Sequence, residues 1–592
     1  MIFIFTVLHI QTSGTVMKST MNIMKMIKCY LQFWKRIFMF SFLVLVVLFY
    51  VTFYFNCKKT FADDLEQTFA ISLEHLDEER RINIELTEIR NDLIQKLRFD
   101  EKNMKNTSKM LYVPSEEYEL LRRRIYSNTK ELWYYVSSTL RSLANEFDDL
   151  KPNVSDMKTM VDEHYRSLLR DVAKLADVDG YSLWRLKEFG SLSRLVQKRL
   201  QHTQNPPDCS KAKKLLCNFV YGNWCGFGCR VHHFVKCLFV AYATERTMII
   251  DNPGNWWFTS GGFEKLFLPL SDTCTSKDGE TFSHWPGNET TQVIMYDLPR
   301  PDNADKHLNS LYLPVVLPED LAERINVLHG DPAVWWIGQF FKYIFRPQPF
   351  ITNAFNEFAK RVRFQKPIVG LHIRRTDKLI KEASLHKLEE YMYHVEEYYK
   401  LKELDGVNDT KRIYLATDEP TLFDEARLKY PEYDIIGDPE ISKSASTQKL
   451  DGSIININIE IYLLAHCDYV VCTFSSNVCR LAYEIMNSLQ PDASAKFTSL
   501  DRTFFFHGQV RKLNVALLSH KAYGPEEMDL DVGDEIEEAG NHWDGYSKGK
   551  NLRTNKLLLY PTFKVTRKIE VLPFASYPNI TMNNEVQKEE NF

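Results

Sequence analysis

The sequence predicts an α/β protein built on a doubly wound parallel sheet, preceded by long helices and closed by a small β-barrel. Three observations carry the prediction. From residue 368, short β-branched runs alternate with helical segments, strand before helix each time. Residues 60 to about 200 are charged and nearly free of Gly and Pro. After Pro491 the texture changes to many short β-like runs.

At 592 residues, 44% hydrophobic and 26% charged, the chain is globular and long enough for two to four domains. Its net charge of −4 gives no support to a nucleic-acid partner. Ile37 to Phe55 is a run of nineteen uncharged residues, enough for a bilayer core of roughly 30 Å. Lys18, Lys25, Lys28, Lys35 and Arg36 precede it, so the positive-inside rule puts the N-terminus in the cytosol. We therefore expect a cytoplasmic tail over 1–36, a signal anchor over 37–55 and a lumenal body. The eleven cysteines fit an oxidising compartment. Zinc is the other reading of the clustered cysteines, but no matched His pair stands at finger spacing. Asn106, Asn153, Asn288, Asn408 and Asn579 head Asn-x-Ser/Thr sequons, which have meaning only in the lumen.

Taken in order, residues 56–200 read as a stem. Ile82, Leu86, Ile89, Leu93 and Leu97 recur at spacings of three and four. Two packings satisfy that pattern: a coiled-coil pair that dimerises, or a helical hairpin laid on the catalytic body. Residues 201–367 form a cysteine-rich α/β unit with a strand at Thr247 to Asp251, the aromatic loop Asn255-Trp256-Trp257-Phe258, and a helix carrying Trp335 and Trp336. We expect both tryptophans in the core.

Residues 368–500 hold the alternation. Strand 368–373 precedes helix Leu388 to Leu404, strand Ile413 to Ala416 precedes helix 420–430, and strand Tyr433 to Ile436 precedes helix 453–466. Strand Tyr469 to Val471 runs into Cys472-Thr473-Phe474-Ser475-Ser476 and a last helix. In such sheets ligands lie outside the carboxyl ends of the strands. Arg374, Asp418, the loop after Ile436 and Ser475-Ser476 would share that edge. With a period of two, His372 and Arg374 leave the first strand on one face and Arg375 on the other. Two guanidinium forks there suit a diphosphate, and the Ser475-Ser476 turn opens a helix whose N-terminus favours an anion. No Gly-x-Gly-x-x-Gly or P-loop is present.

Residues 508–572 contain β-like runs at Asn514 to Leu518, Glu535-Ile536, Asn541 to Tyr546, Leu557 to Tyr560 and Phe563 to Val565, and 573–592 form a tail. Met528 to Ile536, a following Trp, and Leu559-Tyr560-Pro561 resemble the acidic loop, tryptophan and closing strand of SH3 domains. Leu518-Ser519-His520 stands where such domains carry an aromatic pair.

A lumenal, disulfide-bonded α/β protein with a diphosphate-like cation cluster suggests a glycosyltransferase using a nucleotide sugar. Inverting transfer needs a base for the acceptor hydroxyl and positive charge on the departing diphosphate. An Asp-x-Asp at Asp529 to Asp531 lies in the acidic loop of the barrel, so arginines are the expected source of that charge and no metal site is expected.

His372-Ile373-Arg374-Arg375-Thr376-Asp377-Lys378, Tyr414-Leu415-Ala416-Thr417-Asp418, Val471 to Ser476 with Val478-Cys479-Arg480, and Gly540 to Gly549 resemble the animal α1,6-fucosyltransferases that add core fucose to N-glycans. The resemblance implies a Rossmann-like, B-type-related glycosyltransferase with a helical stem and an SH3-like end, seated in the Golgi membrane as a type II protein. It implies GDP-fucose as donor without metal, N-glycoproteins as acceptors, and a homodimer through the helical region. By similarity His372 contacts the guanine, Arg374 and Ser476 the β-phosphate, and Lys378 supports the phosphate and the base. Glu382 is then the general base toward the 6-hydroxyl of the asparagine-linked GlcNAc. Arg375, Ser475 and Asp418 belong to the same donor site, the last two as ligands or as turn residues, and Asp377 as an ion-pair partner of Arg375. His542 matches a residue that recognises the outer glycan arm. Three positions depart from the family: Glu460 for the Asp that reads the guanine edge, Phe258 for a Tyr near the ribose, and Asn477 for a Gln. The same resemblance pairs Cys209 with Cys274, Cys217 with Cys237, Cys225 with Cys229, and Cys472 with Cys479, leaving Cys467 free.

Overall fold

The structure, a computed structural model, describes residues 113–147, 151–218, 226–251, 262–297, 312, 314–375, 384–406, 409–445, 451–506, 512–575, 577 and 580. The expected anchor, the Ile82 to Leu97 repeat, Cys225, Phe258, Asp377, Lys378 and Glu382 lie outside them. The described residues belong to one unit, Leu111–Phe592.

Helices α1 (Glu116–Glu146) and α2 (Lys151–Val178) lie against each other. Ser115 caps α1 by accepting the Tyr118 amide at 3.1 Å, and three glutamates occupy its first turn, where the helix dipole favours them. Trp133 of α1 stacks on Tyr165 of α2 with centroids 4.8 Å apart and donates to Asp162 at 2.8 Å. These two helices form a hairpin laid on the body, while the Ile82 to Leu97 repeat lies outside the described residues. The hairpin is tied to the body by Arg123, whose guanidinium donates to the carbonyls of Asn326, Val327 and His329. Those carbonyls end α5 (Glu319–Leu328), so a cation meets the negative end of a helix.

After α3 (Ser182–Gln204) come β1 (Lys214–Asn218), α4 (Phe227–Ala243), β2 (Thr247–Ile250), β3 (Phe282–His284) and β4 (Val293–Asp297). The four strands form a parallel sheet in the order β2-β1-β4-β3. Helix α4 is buried over its whole length, as its apolar sequence demands. The short β5 (Leu317–Pro318) leads into α5, and Trp335 and Trp336 of α6 (Pro332–Ile344) are both core residues. α7 (Pro349–Arg361) leads toward the second sheet.

That second sheet comprises β6 (Ile368–Ile373), β7 (Arg412–Thr417), β8 (Asp434–Ile436), β9 (Tyr469–Cys472) and β10 (Phe497–Ser499). All neighbours are parallel, in the order β10-β9-β6-β7-β8. The intervening helices are α8 (Leu388–Leu404), α9 (Leu422–Lys429), α10 (Pro439–Ala445), α11 (Asp451–His466) and α12 (Asn477–Leu489). Val369, Leu371 and Ile373 pack with α8 on one face. Ile368, Tyr414 and Ala416 share the core with α11 and α12 on the other. The alternation read from the sequence is thus a mixed α/β arrangement with parallel sheets. The chain leaves β6 toward β7 and β8, then returns to place β9 on β6's other side. A crevice therefore opens at the carboxyl ends of β6 and β9.

The C-terminal residues form an antiparallel sheet, β14-β13-β12-β11-β15, from β11 (Leu513–Ala516), β12 (Glu535–Asn541), β13 (Tyr546–Asn551), β14 (Leu557–Pro561) and β15 (Val565–Arg567). Within the run Asn541 to Tyr546 the structure corrects the sequence reading, because His542 to Gly545 form the turn between β12 and β13 and not a strand. Asn541 accepts the Trp543 amide at 2.7 Å, Asp544 accepts the Tyr546 amide at 2.9 Å, and Gly545 has φ +89. These side chains offer the backbone local partners in place of a ladder. Disulfides join Cys209 to Cys274, Cys217 to Cys237 and Cys472 to Cys479, and Cys467 is free and buried. Cys229 is also disulfide-bonded.

Candidate active site

At the crevice, Arg374 and Arg375 follow the last residue of β6 directly, and their faces differ as the two-residue period requires. Arg374 turns toward Asp418 at the end of β7, with Nε 3.5 Å from Oδ2. Arg375 turns the other way. Its guanidinium lies 3.4 Å from Glu419 and from Glu425, and donates to the His386 carbonyl at 3.4 Å. The sequence reading gave Arg375 a partner in Asp377; among the described residues its carboxylates are Glu419 and Glu425. Asp418 also accepts the Arg375 amide at 2.8 Å, which fixes the path of the chain as it leaves β6.

Across the crevice, β9 ends in the Thr473 to Ser476 turn that opens α12. The Phe474 amide donates to Ser499 Oγ at 3.1 Å and the Ser475 amide to Asp501 at 3.2 Å. Ser499 donates in turn to Asp501 at 3.1 Å. The turn is therefore braced from the end of β10 and, through Cys472–Cys479, from the first turns of α12. Ser476 is buried, and its hydroxyl has no hydrogen-bond partner among the described residues. Arg374, Arg375, Ser384, His386, Tyr391, Thr473, Ser475 and Ser476 line one small recess. A much larger cavity, about 1360 Å³, opens between α1, residues 490–496 and the C-terminal sheet. It contains none of the strand-end residues.

His372 is buried in β6 on the α11 side, the side Arg374 takes. Glu460 of α11 is buried there too, and its carboxyl is pushed up to about 8. Burial is the main cause, and Asp418 adds to it while Arg374 opposes it. His372, Arg374, Arg375, Asp418, Glu460, Ser475 and Ser476 thus gather at one edge. His542 lies elsewhere, exposed in the β12–β13 turn. Sequence reasoning missed the bracing pair Ser499 and Asp501 and the partners Glu419 and Glu425. The first pair stands at the end of a three-residue strand with little pattern. Among the described residues no group of three His, Cys, Asp or Glu side chains converges to hold a metal.

A family model described as alpha-(1,6)-fucosyltransferase N- and catalytic domains matches residues 38–505. The alpha-(1,6)-fucosyltransferase of Drosophila melanogaster is 44% identical over 482 residues, covering 79% of this chain and 76% of the relative. That of Caenorhabditis elegans is 34% identical over 459 residues, covering 76% and 78%. Among solved structures, a NodZ alpha-1,6-fucosyltransferase co-crystallised with GDP matches 46% of this chain and 91% of its own at 14% identity, with a TM-score of 0.28.

Glu460 generates a stability prediction. Its folded-state carboxyl keeps a proton up to about 8, against 4.5 for the ordinary side chain. The stability it contributes is therefore full below 4.5 and is lost as pH rises toward 8. Glu460→Gln carries no such proton and should gain in melting temperature over the wild type as pH is raised across that window. A difference between the two proteins that stays flat with pH would contradict the burial of this carboxyl.

Proposed function

The chain belongs to the alpha-(1,6)-fucosyltransferase family, and from that premise we propose that it moves L-fucose from GDP-β-L-fucose to the 6-hydroxyl of the innermost asparagine-linked GlcNAc of N-glycans. The observation that carries the donor assignment is the convergence of Arg374 with Ser475 and Ser476 at the crevice between β6 and β9. A guanidinium and a helix N-terminus facing one recess suit a leaving diphosphate. The resemblance supplies the remaining roles. His372 and Glu460 read the guanine, Phe258 lies by the ribose, and Lys378 supports the phosphate. Glu382 takes the proton from the acceptor hydroxyl as fucose departs with inversion. Asp418 and Arg375 hold the loop that carries Arg374, and His542 meets the outer arm of the glycan. The body is a Rossmann-like, B-type-related catalytic core with an SH3-like end, the last supported by five antiparallel strands in the order β14-β13-β12-β11-β15.

The same reading seats the protein in the Golgi membrane with a lumenal body. The disulfides favour that compartment, and protease protection in sealed vesicles tests it. A homodimer through the helical region is supported by exposed apolar side chains on α1 and α2, among them Leu121, Leu132, Met157 and Leu168. Light scattering of the secreted body should give twice the chain mass, and replacing those four residues by polar ones should halve it. A monomeric wild type would remove the dimer.

Two experiments test the chemistry. Incubated with GDP-fucose, excess EDTA and a biantennary glycan bearing exposed GlcNAc, the secreted body should add one deoxyhexose to the reducing-end GlcNAc. Glu382→Gln should abolish that product while leaving GDP binding intact, and transfer that requires added manganese would overturn the metal-free mechanism. Arg374→Ala should weaken GDP binding by roughly 1.5–3 kcal/mol, the value of a charge-assisted hydrogen bond. An unchanged Kd in calorimetry would sink the phosphate assignment.

A further inference from the structure

Two helices begin side by side at the crevice. α4 starts at Phe227, after β1, and α12 starts at Asn477, after the Ser475-Ser476 turn. They meet without side-chain padding, since a Cβ on Gly228 would lie 2.6 Å from Cβ of Asn477 and 3.1 Å from its carbonyl carbon.

Around that contact, buried polar groups of both helices lie close together. Arg480 reaches back one turn to the side-chain oxygen of Asn477. Its amide donates to Ser476 O at 3.2 Å, and its guanidinium lies 3.9 Å from the centre of the Phe505 ring. One turn further along α12, Glu484 Oε2 lies 3.0 Å from Nε2 of His232 on α4. Nδ1 of the same imidazole donates to the carbonyl of Gly228, the residue packed against Asn477, at 2.5 Å. His232 and Glu484 are 0% exposed and Arg480 is 1% exposed.

Ionisable groups withdrawn from water this completely are destabilising unless paired and held. Burial lowers Arg480 to about 10, with Glu484 opposing, which leaves the guanidinium charged at neutral pH. Both ring nitrogens of His232 lie next to oxygens, Nδ1 by the Gly228 carbonyl and Nε2 by the Glu484 carboxyl. None of the three lines the recess, so they do not serve the ligand by touching it. What they do touch is the first turn of α12 and the first turn of α4, one from each half of the catalytic body.

We propose that His232, Glu484 and Arg480 are positioning residues that lock the Ser475-Ser476 turn to α4 and the β1–β4 half of the body, so that the donor diphosphate meets that turn and Arg374 at once. The proposal rests on the donor reading above. Its test compares the secreted wild type with Glu484→Gln, which keeps the shape and removes the charge. The GDP Kd and the KM for GDP-fucose should rise about tenfold, with kcat changed far less, as lost uniform binding requires. Gly228→Ala leaves every charge in place and forces a methyl group into the joint. Alanine favours a helix over glycine, so a rise in donor KM there reports displacement and not loss of α4. It decides the matter if Glu484→Gln does not fold. Folded variants that bind GDP with the wild-type Kd, or that lose only melting temperature, would overturn the proposal. Failure of the wild type itself to bind GDP would overturn the donor reading and this inference with it.

Discussion

Asp418 closes β7 and holds two things at once: the amide of Arg375 at 2.8 Å and, more distantly, Nε of Arg374 at 3.5 Å. Adjacent arginines at a strand end repel each other and have no reason to diverge in a fixed direction. A carboxylate on the next strand supplies that reason. It pins the backbone between the two cations and draws Arg374 to the α11 face, while Glu419 and Glu425 draw Arg375 to the α8 face. The strand order then does the rest. Because β9 pairs with β6 on the side away from β7, the pinned Arg374 looks across a crevice at the turn that opens α12.

The charges at this edge are unequal in what they can offer a ligand. Arg375 sits between two carboxylates and a carbonyl, an arrangement that fits a structural cation. Glu460 adds bulk and polarity, but its proton removes most of its opposition to Arg374 near neutral pH. Arg374, set against the single carboxylate of Asp418, is the cation at this edge that is least committed to partners within the chain.

Periodicity made the catalytic sheet legible because each β-branched run is short and each helix keeps a continuous apolar face. Leu388–Leu404 was read to the residue, and the strand at 368–373 likewise. The divergence of Arg374 and Arg375 was legible for the same geometric reason. What periodicity could not reach was the partner of Arg375, since Glu419 and Glu425 are close only after β7 and α9 have folded beside it. The His542 to Gly545 turn was misread because aromatic content argues for a strand, while Asn541 and Asp544 supply local side-chain bonds that win there. Ser499 and Asp501 brace the phosphate-like turn from a strand too short to show any pattern. The hairpin of α1 and α2 was one of two equal readings, and the contacts that lay it on the body, Arg123 on α5 and Arg166 on Glu397, join residues more than two hundred positions apart.

That hairpin also explains how the C-terminal sheet is held in register with the catalytic body. Gly545, in the turn that carries His542, lies so close to α1 that a Cβ there would sit 2.8 Å from Cβ of Tyr135. Its φ of +89 is one that glycine adopts freely and other residues rarely do, so both the space and the backbone demand glycine. Arg166 of α2 meanwhile grips Glu397 of α8 through two bonds, at 2.9 and 3.1 Å. One rigid pair of helices therefore touches both the β12–β13 turn and the helix behind the catalytic sheet. A residue on that turn and a residue at the strand ends can hold a fixed separation only if something stiff spans them, and stacked aromatic helices meet that requirement where a flexible linker would not.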